Sequence, residues 1–154
     1  MTHAEPDQDR IEKVVELAAP VARVWRALTD HEEFGAWFHV HLDGPFVVGE
    51  TTTGHITYPG YEHMAWVSVT EAMEPERRFA FSWPPSAVDP DTTYDEDAKV
   101  LVEFRLEPTE TGTRLTIAES GFLQFPDPKR LEVLRSNTEG WSMQAVNIAN
   151  HVER

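Results

Sequence analysis

The sequence predicts an α+β domain in which a curved antiparallel sheet wraps around a long C-terminal helix, with two short helices after the first strand. Three observations predict it. An alternating first segment runs into two short stretches of helical spacing, a series of β-rich segments punctuated by turn signals follows, and the chain closes on an apolar stripe repeating every three to four residues.

Residues 11–18, IEKVVELA, place Ile11, Val15 and Leu17 on one face and Glu12, Val14 and Glu16 on the other, with Lys13 an exception on the apolar side. Ala19-Pro20 suits a helix entrance, because proline has no N–H to leave unpaired, and Val21, Val24, Trp25 and Leu28 follow at helical spacing to about Thr29. Asp30 then caps a second short helix, with Glu33 as its capping-box partner and Phe34, Trp37 and Phe38 as its apolar side. Beyond Gly44-Pro45, the segments 46–58, 64–73, 77–83, 99–107 and 113–119 read as strands of a meander, separated by turns such as Pro59-Gly60 and Glu110-Thr111-Gly112. Phe79, Phe81 and Trp83 share one face, as do Val100, Val102, Phe104 and Leu106, and again Leu115 and Ile117.

So apolar a sheet face needs a cover. The last helix supplies it: Asp127 caps, Pro128 takes the first position, and Leu131, Leu134, Trp141, Ala145, Ile148 and Val152 form the stripe. Gly140 interrupts that helix at a cost of about 1 kcal/mol relative to alanine, which points to close backbone packing or a bend beside Trp141.

A length of 154 residues suits one domain over 11–154, preceded by a flexible tail, 1–10, that resembles neither a signal peptide nor a membrane span. Without cysteine, disulfides, thiolate catalysis and cysteine-based metal sites are all excluded, and a cytoplasmic location is expected. The 13 Lys+Arg against 27 Asp+Glu leave a net charge of −14, which disfavours nucleic acid and anionic membranes as partners. Arg77-Arg78 and Lys129-Arg130 read as solvated ends of a strand and a helix.

Four phrases, in order, carry a resemblance running from about Ile11 to the end. They are Ala19-Pro20 with Val24-Trp25-Arg26-Ala27-Leu28-Thr29-Asp30, then Trp37-Phe38, then Phe79-Ala80-Phe81-Ser82-Trp83, and last Glu119-Ser120-Gly121-Phe122 with Gly140-Trp141. The set resembles the START-like (SRPBCC, Bet v 1-like) superfamily and, within it, the activator of Hsp90 ATPase homologue 1-like C-terminal domain family. The resemblance implies a helix-grip fold with a cavity between sheet and C-terminal helix. The fold hosts many functions, so function rests on the site.

The expected site takes Trp37, His55, Tyr61, Trp66, Phe81, Trp83, Phe104, Glu119, Trp141 and Ala145 as ligand-binding residues, because pockets combine apolar walls with a few convergent polar groups. Glu119 continues the face of Leu115 and Ile117; it reads as an acid/base, a ligand anchor or a structural partner, with Lys13 a candidate counter-ion. The riskiest expectation puts Trp83 and Trp141 on opposite sides of one pocket, with Glu119 in reach of a ligand's polar group.

No metal and no cofactor are expected. His39 and His41, with Asp43 or His63, have spacing a metal could use but are not read as a site; His31-Glu32-Glu33-Phe34-Gly35 lacks the second histidine of HExxH; and the acidic stretch Asp89 to Asp97 lacks the glycine and closing glutamate of an EF-hand. No phosphate-binding, dinucleotide-binding or nucleophile-elbow motif is present. The first functional expectation is a domain that holds a small apolar or aromatic molecule between sheet and helix. The alternatives are a cyclase- or hydrolase-like enzyme using Glu119, His55 or a tyrosine, and a chaperone-linked interaction module. No residue is assigned to catalysis, and a homodimer and a chaperone partner are left open.

Overall fold

A computed structural model describes residues 9–84, 99–126 and 129–153. The first strand, β1 (Arg10–Leu17), leads into helices α1 (Val21–Thr29) and α2 (His31–Phe38). The strands β2 (Val40–Leu42), β3 (Thr51–Ile56), β4 (Ala65–Glu74), β5 (Arg78–Trp83), β6 (Val100–Pro108) and β7 (Thr113–Ser120) follow, and helix α3 (Lys129–Val152) closes the chain. All seven strands form one antiparallel sheet in the order β1-β7-β6-β5-β4-β3-β2, so consecutive strands from β2 to β7 are neighbours and β1 pairs with the last strand.

The inward rows of β5, β6 and β7 merge into one apolar surface, with Phe79, Phe81, Val100, Val102, Phe104, Leu115 and Ile117 buried under the helices. Phe34 of α2 is a hub, its ring 4.8 Å from Trp37, 5.5 Å from Phe46 and 5.7 Å from Trp66. The indole of Trp37 is buried too, and its Nε1 donates to the Ala27 carbonyl at 2.8 Å, which binds α2 to α1.

Several details depart from the sequence reading. Arg10 and Asp9, expected in the tail, are ordered into the sheet: Arg10 pairs with Ser120, and the Asp9 carbonyl accepts from the N–H groups of Gly121 and Phe122. Only 51–56 of the expected strand 46–58 is strand, while the short β2 was not anticipated. Asp30 accepts from the N–H groups of Glu32 and Glu33 as a cap should, but the return half of the capping box is missing because the Glu33 carboxylate is turned to Arg23, Arg26 and His151.

In α3 the buried stripe runs through Val133, Trp141, Ala145, Ile148 and Val152, with Leu131 48% exposed. Gly140 is not tightly packed either, since a Cβ built there meets nothing within 4 Å. The expected cap Asp127 and first-turn Pro128, and the acidic stretch 89–97, lie outside the described residues. Arg78 is not a solvated end but pairs with Glu103 at 2.7 Å and with Glu74 at 3.3 Å.

Candidate functional site

Period-two alternation brings Glu119 to the inner face as the last inward residue of β7, after Leu115 and Ile117. Trp83 ends the inward row of β5 in the same way, and Trp141 sits mid-stripe on α3. The three converge. Glu119 Oε1 accepts from Trp141 Nε1 at 2.8 Å and from Asn137 Nδ2 at 3.0 Å, while Oε2 accepts from Trp83 Nε1 at 3.0 Å. The two indoles stack with centroids 6.4 Å apart and planes 27° from parallel.

Glu119 is 0% exposed, and no cation is among its partners. Burial pushes its carboxyl upward; the hydrogen bonds from Trp141, Asn137 and Trp83 pull it down but less, leaving it above the ordinary value of 4.5. Lys13, the expected counter-ion, stands at a different point of the ladder, opposite Ile117 of β7, and its side chain has no hydrogen-bond or ion-pair partner among the described residues. Three neutral N–H donors take the place of the cation.

Beside this cluster lies a cavity of about 250 Å³ bordered by Phe38, Trp83, Glu119, Ser136, Asn137, Gly140, Trp141, Met143 and Gln144. Glu119 borders the cavity although it is closed off from solvent, and its carboxylate holds the indoles and Asn137 in position. Gln144 is fixed at both ends, donating to the Phe38 carbonyl at 3.2 Å and accepting from Asn147 at 3.0 Å. Larger concavities, of about 580 Å³ beside Ala18–Ala22 and about 460 Å³ beside His31 and Thr57, have no phenyl, phenol or indole ring in their walls.

Of the ten expected site residues, Trp83, Glu119 and Trp141 border the cavity. Trp66, Phe81 and Phe104 stand one layer behind it: Trp66 packs on Trp83 at 5.2 Å and Phe104 on Trp141 at 6.0 Å. Trp37 belongs to the packing between helices, and Ala145 is buried in the stripe without bordering the cavity. His55 and Tyr61 are exposed, His55 against the His41 ring at 5.3 Å and Tyr61 beside Tyr58. His39 ends α2 in the left-handed conformation with its ring on Tyr58, so it does not share a face with His41. Ser136, Asn137, Met143 and Gln144 were missed. Asn137 and Gln144, polar residues on an apolar helix stripe, carry the same signal that singled out Glu119.

A second ionic cluster ties the helices together away from the cavity. Glu33 binds Arg23 at 2.6 Å, Arg26 at 2.8 Å and His151 at 2.9 Å, joining α2 to α1 and to the end of α3. Burial pushes the Glu33 carboxyl up, but hydrogen bonds from His151, Arg23 and Arg26 and the charge of Arg23 outweigh it and leave the group below 4.5.

A sheet that grips a long helix, with a cavity between the two, defines the helix-grip class of domain. The chain belongs to the activator of Hsp90 ATPase homolog 1-like protein family, whose pattern matches residues 18–153. A protein from Mesorhizobium loti is 22% identical with a TM-score of 0.74 over 94% of this chain and 97% of its own. A protein of the dynemicin biosynthetic locus is 24% identical with a TM-score of 0.74 over 96% of this chain and 48% of its own. The Aha1 dimer from Colwellia psychrerythraea is 15% identical with a TM-score of 0.70 over 94% of this chain and 96% of its own. At these identities the likeness is one of fold. No curated protein matches the chain.

Proposed function

We propose that this domain binds a small, chiefly aromatic molecule in the cavity between the sheet and α3. The observation that carries the reading is a cavity walled by two indoles and a phenyl ring, with the indoles held by one buried carboxylate. Family and fold are consistent with a ligand-binding role. Size narrows the class: an apolar cavity of about 150 Å³ accepts benzene, so about 250 Å³ suits a molecule of one or two fused rings.

Gly140 gives the test, because side-chain atoms added there meet open space on the cavity side of the helix. Gly140→Leu should fill the cavity while stabilising the helix by a few tenths to about 1 kcal/mol. Wild-type tryptophan emission should be quenched on titration with ANS, an anionic fluorophore whose two-ring naphthalene part suits the cavity, and Gly140→Leu should lose that response with its thermal midpoint equal or higher. Equal probe affinity in both proteins would sink the reading.

A further inference from the structure

We propose that Asn137 sets the ligand class of this cavity: its carboxamide oxygen accepts a hydrogen bond from the occupant, which is therefore a small aromatic molecule bearing an N–H or O–H donor. The inference rests on the ligand-binding reading above and narrows it. Asn137 Nδ2 is committed to Glu119 Oε1 at 3.0 Å. An ionised carboxylate only accepts, so the amide must turn its nitrogen towards it. Because Oε1 already receives two donors, a proton on Glu119 would sit on Oε2, and the amide keeps the same orientation in either state.

The other end of the amide is then aimed away from Glu119. Asn137 borders the cavity, and its Oδ1 has no hydrogen-bond partner among the described residues. Nor is it sealed from solvent: the buried side-chain polar atom left unpaired among those residues is Thr70 Oγ1, not Asn137 Oδ1.

The polar groups of the indoles and of Gln144 are engaged elsewhere, and the Glu119 carboxylate, though on the border, is closed off from solvent and already receives three donors. Both indole N–H groups point at Glu119, and both ends of the Gln144 amide are occupied. Ser136 lies on an exposed turn of α3. Beside the freely rotating hydroxyl of Ser136 at the exposed rim, the wall therefore offers an entering ring one acceptor held in a fixed orientation, which water satisfies when the cavity is empty. An occupant that displaces this water without supplying a donor leaves the acceptor bare, and such a site rejects the donor-free analogue far more strongly than an apolar pocket does.

Indole and benzofuran are matched probes, equal in shape and differing in N–H against a ring oxygen. Calorimetric titration of the full chain should show indole binding about tenfold more tightly than benzofuran, as one well-made hydrogen bond implies. Asn137→Ala should bring the two within about twofold, and Asn137→Leu is the second variant if the alanine protein does not fold. A wild-type ratio near one, with both probes binding, overturns the assignment of Asn137 and leaves the pocket intact. An indole preference that survives both substitutions also overturns it. Binding of neither probe overturns the ligand-binding reading and this inference with it.

Discussion

The residue on which the cavity wall depends is one whose burial is unfavourable in isolation. Glu119 lies out of water with three neutral donors and no cation, and its carboxyl is raised above 4.5. A carboxyl held higher in the folded than in the unfolded chain binds its proton more tightly when folded. It contributes stability that is full below 4.5 and is lost as pH rises through the folded value. Glu119→Gln removes that titration but keeps the volume, so urea unfolding across pH 4 to 8 should show wild type losing ground to the variant as pH rises. Parallel pH profiles would refute this account of Glu119. The opposite contribution of Glu33, lowered by its partners and lost on acidification, is common to both proteins and cancels. Glu119 was legible in the sequence because it extends an apolar row in phase with Leu115 and Ile117. His55 was misplaced because the inward row of β3 is weak: its positions are Thr52, Gly54 and Ile56, with Ile56 alone large and apolar.

At the scale of elements, the strands with aromatic or branched rows and both short helices were readable, since alternation and capping are local signals. Strand β2, three residues long, is too short to show a period and exists through its pairing with β3. At the start of α3 the expected stripe was right at Leu134, which packs against the core, and wrong at Leu131: counting back from Trp141 in fours gives Asn137 and Val133, and the polar Asn137 hid that row from a search for apolar residues alone. The second half of α3 carries Trp141, Ile148, Val152 and the His151 contact to Glu33. Truncation after Glu139 deletes four buried apolar side chains, of which the three larger, Trp141, Ile148 and Val152, are worth about 2 kcal/mol each, comparable to the whole stability of a typical domain. It also strips Glu119 of its Trp141 donor. The truncated chain should lack a cooperative thermal transition; one that melts near the full-length midpoint would refute the covering role of α3.

For the molecule as a whole, the charge of −14 is tempered only locally by basic residues, and these are largely engaged. Arg78 and Arg105 serve Glu103, Arg114 serves Glu16, and Arg23 and Arg26 serve Glu33. These pairings among the described residues, together with the net negative charge, lead us to expect no binding of duplex DNA or phosphatidylserine vesicles at physiological salt. Titrations at low and physiological salt check this. Micromolar binding that weakens steeply with salt would show a cationic patch that outweighs the global field. Among the described residues, no helix is long and apolar enough to cross a membrane.

The strand order has a bearing on self-association. Among the described residues the sheet has seven strands and ends in two with open ladder sides, and such edges invite a neighbouring chain to add on. Here one end is β2, only three residues long, and the other is β1, whose Arg10, Glu12, Lys13 and Glu16 spread charge along it. Short length at one border and charge at the other discourage fibre-like extension of the sheet. Among the described residues, then, neither border of the sheet is a long, uncharged edge of the kind that templates strand addition.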